Sequence, residues 1–131
     1  MDNRRINEEY AIIAAELIEN EPALIDIKNS NVSIIYLSSE HEKKTKTSIV
    51  YGQCEKVQDK NKWAIPADFT ITVFEPNCKE FTPEQIKILL FHELLHINIV
   101  FKDGAEVYSI NDHDLNDFKV IVEKYGVDWS E

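Results

Sequence analysis

The sequence predicts an α+β fold, a small antiparallel or mixed sheet covered by helices on one side. Three observations predict it. Ile6 to Asn20, and the run that follows Thr82, carry apolar residues at helical spacing. Phe69-Thr70-Ile71-Thr72-Val73-Phe74 alternates with the two-residue period of a strand. The strand-like segments fall in a block between the helices and do not alternate singly with them. At 131 residues the chain has the size of one domain, spanning residues 1–131. A chain of that size buries about two thirds of its unfolded surface, enough for a real core.

The elements follow in order. Ile6, Tyr10, Ile13, Ala14, Leu17 and Ile18 form one stripe of an amphipathic N-terminal helix over Ile6 to Asn20. Pro22 closes that helix or begins a short turn. Asn29-Ser30-Asn31 is a turn cluster. Val32 to Leu37 is rich in β-branched and aromatic residues and reads as a strand. Ser38 to Lys46 is a charged loop. Thr47 to Val57 reads as a second strand in which Gly52 marks a bulge or bend. Asp59 to Lys62 is a polar turn, and Pro76-Asn77 ends the alternating strand that follows it. Thr82, Pro83 and Gln85 then start a helix, with Thr82 as N-cap, Pro83 at the first helical position and Gln85 completing a capping box. Asp103-Gly104 is a turn pair before a short extended segment, Val107 to Ile110. Asn111 or Asp112 caps a C-terminal helix with the stripe Leu115, Phe118, Val122 and Tyr125, which ends at Gly126.

The helix that starts at Thr82 is apolar on nearly every side, from Ile86 through Ile97, which is the pattern of a buried helix. It nevertheless carries His92-Glu93-Leu94-Leu95-His96, the pattern H-E-x-x-H. Histidines four apart lie on one helical face, one turn from each other, so their ring nitrogens can converge on one metal ion. Glu93 stands beside the first histidine, placed to take a proton from water at that metal. Two neutral nitrogen ligands and a basic carboxylate are what a zinc hydrolase requires. Burying such polar groups without partners costs roughly 2 kcal/mol or more each, a penalty that a divalent cation removes.

A catalytic zinc takes three protein ligands and keeps one position for water. His113 is the only histidine downstream and stands in the first turn of the C-terminal helix. Asp112, Asp114, Asp117 and Glu106 are alternative ligands, and Asp114 and Asp117 equally suit a role orienting His113. His41 lies among charged residues and reads as solvated. Cys54 and Cys78 lack C-x-x-C spacing and read as reduced thiols in or beside strands.

Asp68-Phe69-x-Ile71, then Leu89-Leu90-x-His92-Glu93-Leu94-Leu95-His96-Ile97, then His113-Asp114 with Phe118 and Tyr125-Gly126-x-Asp128-Trp129, resembles the phage metallopeptidase family. More distantly it is similar to SprT-like zinc proteases. The resemblance covers roughly Ser48 to Trp129. It implies a minimal zincin fold in which His92, His96 and His113 hold Zn2+ and Glu93 is the general base. It also implies that Phe69 to Phe74 is the sheet edge along which a peptide lies. SprT-like relatives often carry a C-terminal zinc ribbon that this chain lacks, so their link to DNA is not carried over. Tyr108 and Tyr125 are candidates to stabilise an oxyanion.

The expected function is therefore a zinc-dependent metallopeptidase acting on a protein or peptide. Two alternatives remain: a zinc-containing protein-binding module without activity, and a zinc hydrolase of a non-peptide amide. The net charge of −10 opposes binding to nucleic acid. Neither a signal peptide nor an apolar run long enough for a bilayer is visible, so the expected location is the cytoplasm, the host's if a phage encodes the chain.

Overall fold

Asn7 starts the first helix. Its backbone is extended and its side-chain oxygen accepts the Tyr10 N–H at 3.1 Å, which begins α1 (Glu8–Asn20). Glu8 and Glu9 in the first turn complement the positive end of the helix dipole. In this computed structural model, residues 4–44, 49–111, 121 and 124–126 are described. Ile6, expected inside the helix, belongs instead to a strand, β1 (Arg4–Ile6). The reason is non-local, because Arg4 to Ile6 pair antiparallel with Leu37 to Ser39. After α1, Pro22–Leu24 forms a 3-10 turn that runs directly into the short helix α2 (Ile25–Lys28).

Four strands make one mixed sheet in the order β1, β2 (Ile34–Ser39), β4 (Phe69–Phe74), β3 (Gly52–Lys56). β2 runs parallel to β4, and β3 runs antiparallel to it. Strand β4 matches its expected bounds. The others shift: β2 starts two residues later and continues through Ser39, and β3 is shorter than Thr47 to Val57. The strand expected at the sheet edge is β4, and the structure corrects this. β4 is hydrogen-bonded on both sides, with all six residues buried, and among the described residues the edges are β1 and β3. Gly52 is no bulge either, since it pairs in regular register with Val73.

β4 alternates faces as its sequence dictates. Phe69, Ile71 and Val73 join the core with Leu17 of α1 and with Leu89, Leu90 and Leu94 of the third helix. Thr70, Thr72 and Phe74 face the other way. There the Arg4 guanidinium donates to Thr72 Oγ1 and to Glu55 Oε1, each at 3.1 Å, and lies 5.8 Å from the Phe74 ring centre. Lys43 approaches the same ring at 5.6 Å. One face is thus packed by helices and the other is covered by long charged side chains laid over it.

The third helix, α3 (Pro83–Leu95), begins with the expected capping box. Gln85 N–H donates to Thr82 Oγ1 at 3.2 Å, and Thr82 N–H donates to Gln85 Oε1 at 2.8 Å. Thr82→Ala should cost about 1 kcal/mol, seen in thermal melting as a loss of about 4 °C. An unchanged melting temperature would show that the cap contributes nothing.

α3 ends one residue before His96, and Ile97 is not helical as expected. It opens β5 (Ile97–Lys102), which pairs with β6 (Ala105–Ile110) in a separate hairpin. Asp103 and Gly104 form its two-residue turn with φ of 51° and 77°, the positive values that a type I′ hairpin turn needs. Of the expected C-terminal helix, residues 121, 124 and 125 are helical, Ile121 is fully buried, and Gly126 has φ 88°, the conformation that ends a helix. Leu115, Phe118 and Val122 lie outside the described residues. No helix among the described residues is long and apolar enough to cross a membrane.

Candidate metal centre

The last turn of α3 presents His92, Glu93 and His96. His96 stands at the C-cap with φ −70° and ψ −20°, still helical, so the one-turn spacing of the two rings survives the helix end. The ring centres lie 5.2 Å apart, with planes inclined at 72°. Glu93 Oε2 is 3.9 Å from His92 Nε2, and Glu93 Oε1 is 3.9 Å from His96 Nε2. One donor atom from each residue falls within 4.8 Å of the others. The cluster is sheltered: Glu93 is 4% exposed, and the two histidine side chains are 13% and 18% exposed.

The residue that follows the hairpin orients His96. Its Nδ1 lies 2.7 Å from the Asn111 carbonyl oxygen. A carbonyl oxygen can only accept, so Nδ1 carries the proton, and in the neutral ring Nε2 then keeps its lone pair toward the cluster. This is the tautomer that a metal-ligating imidazole needs, and a backbone carbonyl is a usual partner for its other nitrogen. Asn111 is itself held, since its N–H donates to the His96 carbonyl at 2.6 Å and its side-chain amide donates to the Leu95 carbonyl at 3.4 Å. Sequence reasoning assigned Asn111 only as a helix cap. Its role here was legible only once β5 and β6 were paired, because that pairing brings it back to the end of α3.

Strand β3 forms the wall beside Glu93. A Cβ built on Gly52 would lie 3.1 Å from Glu93 Oε2. Cys54, two residues along the same face, has its thiol pushed up first by burial and then by the negative charges of Glu93 and Glu55. It is a free cysteine, as is buried Cys78. Two imidazole nitrogens and a carboxylate oxygen in a sheltered cluster fit a divalent transition metal of the zinc type. The carboxylate is nearly removed from solvent, where a neighbouring positive charge is most favourable.

Other expected site residues are placed as follows. His113, and with it Asp112, Asp114 and Asp117, lies outside the described residues. Glu106 is engaged elsewhere: its two carboxylate oxygens accept the Asn31 N–H at 3.0 Å each, and Oε1 also accepts the Tyr108 hydroxyl. Among the described residues the donor group that could hold a metal ion comprises His92, Glu93 and His96, without Glu106. Tyr108 packs edge-on against Phe69 with ring centres 5.9 Å apart. With its hydroxyl given to Glu106, it is a poor oxyanion donor. Tyr125 packs against the core beneath Lys124. His41 is exposed, as expected of a solvated histidine.

A family model described as Putative phage metallopeptidase matches residues 4–131. Neither the curated proteins nor the solved structures give a significant match. The family match runs through the sheet and α3 and includes the His-Glu-His cluster, and its description names a metal-dependent peptidase, in keeping with the donor set found here. On that extent of match, the chain belongs to the Putative phage metallopeptidase family.

Proposed function

We propose that this chain is a zinc-dependent metallopeptidase that cleaves a protein or peptide with Glu93 as general base. The observation that carries the reading is the buried Glu93 carboxylate, 3.9 Å from the Nε2 atoms of both His92 and His96. The His96 tautomer set by Asn111 supports it. His92 and His96 hold the metal, and His113 is the proposed third ligand. Zinc in such a site lowers the pKa of water toward about 7 and polarises the scissile carbonyl.

The chain's own groups do the rest. Glu93 accepts a proton from the attacking water and delivers it to the leaving amine. Burial of α3 and the packing of Leu89 and Leu94 exclude bulk water from one side of the carboxylate, which strengthens its interactions. The peptide lies along β3, which has β4 on one side and no hydrogen-bonded strand on the other among the described residues. Its backbone adds to that edge by strand addition. This replaces β4, which has no free edge to offer.

The test is metal analysis of the purified protein together with turnover of fluorescein-labelled casein. A single zinc per chain is expected, with cleavage abolished by a zinc chelator and restored by zinc. Cleavage that persists after the metal is stripped would refute the reading. His113→Ala, measured in parallel, is expected to lower zinc affinity by about 10-fold or more, in the range seen when support around a zinc is lost. If zinc binding is unchanged in that variant, the third ligand is another side chain, with Asp112, Asp114 and Asp117 next in line.

A further inference from the structure

We infer that Gly52 is a positioning residue for Glu93, the vacancy at its Cβ being the space that seats the carboxylate between the two imidazoles. The inference rests on the reading of Glu93 as general base. A Cβ at position 52 would lie 3.1 Å from Glu93 Oε2, 3.3 Å from Glu93 Cγ and 3.2 Å from Leu89 Cδ1. These separations are inside the roughly 3.5–4.0 Å at which carbon contacts are most favourable.

Nothing else about the position calls for glycine. Among the described residues, the glycines with positive φ are Gly104 and Gly126, so Gly52 does not need left-handed backbone. It pairs in register with Val73, so it does not make a bulge. Glycine inside a strand otherwise weakens it. What remains is close approach: α3 comes so near β3 that the Glu93 side chain occupies the place of a side chain at 52.

The seat has consequences for geometry. Glu93 has three rotatable bonds, yet its two oxygens are poised symmetrically, one 3.9 Å from each Nε2. A methyl at position 52 pushes on Oε2 and Cγ together, so the carboxylate cannot relieve the contact by rotating its end alone. A displacement of a few tenths of an ångström follows. Misplacing a reacting group by 1 Å can cost about 100-fold, so a shift of this size is expected to cost about 10-fold.

The experiment uses the zinc-loaded full chain and a quenched fluorescent peptide that the parent cleaves. Gly52→Ala, Leu89→Val and Gly52→Ala/Leu89→Val are compared, the valine withdrawing Cδ1 so that the new methyl meets Glu93 alone among these atoms. The expected result is a fall in kcat of about 10-fold in Gly52→Ala against the parent and in Gly52→Ala/Leu89→Val against Leu89→Val. Zinc affinity by chelator competition stays unchanged, and crystal structures show the carboxylate displaced from the midpoint of the rings. In a Glu93→Gln background, read by single turnover, Gly52→Ala costs nothing further. A parent-like kcat in Gly52→Ala, an equal loss in the Glu93→Gln background, or zinc affinity falling in step with kcat would each overturn the inference. An inactive Glu93→Gln beside a fully active Gly52→Ala removes this inference alone. Parent-level turnover by Glu93→Gln removes the general-base reading itself.

Discussion

Glu93→Gln is expected to lower kcat for peptide cleavage by about 10²–10⁴-fold, the contribution of a positioned general base. The substitution keeps the shape of the side chain and removes its capacity to take a proton. The amide fits the same seat against β3, where a Cβ at Gly52 would be 3.1 Å from Oε2. The two imidazoles keep their places, since His96 is oriented by Asn111 and not by Glu93 alone. Zinc content should therefore match the parent. Loss of zinc together with activity would mean that Glu93 serves as a ligand, and turnover at the parent rate would refute its role as base.

Phe91→Ala is expected to have the largest effect on stability, a loss of about 3–5 kcal/mol in urea unfolding. Phe91 is fully buried, one residue before His92, and Lys124 lies 5.8 Å from its ring centre. Truncation leaves a cavity in the packing of α3. Domains of this kind are stable by only about 5–15 kcal/mol, so much of the margin is lost. Zinc that binds only the folded chain should restore part of it as its concentration rises. A loss below about 1 kcal/mol would show that the surrounding side chains close over the gap.

The candidate site was more legible in the sequence than the sheet that supports it. Thr82, Pro83 and Gln85 identify the start of α3, and the capping box forms as those residue types predict. The alternation of Phe69 to Phe74 identifies β4 to the residue. Strand β1 was not legible, because a three-residue strand is stabilised by its pairing with Leu37 to Ser39 and carries no periodic signal of its own. Strand β5 was hidden by the apolar run of α3, which continues through Ile97. Only pairing with β6 separates helix from strand there.

Local chemistry by itself determined that His92, Glu93 and His96 share one end of one helix, because capping and the 3.6-residue period act within a turn or two of chain. Tertiary structure decided which strands lie at the sheet edges, that Asn111 orients His96, and that Gly52 makes room for Glu93. Each of these joins residues at least fifteen positions apart. Their relation depends on strand order and on how closely α3 approaches β3, quantities set by packing and hydrogen bonding across the whole fold and encoded in no short stretch of chain.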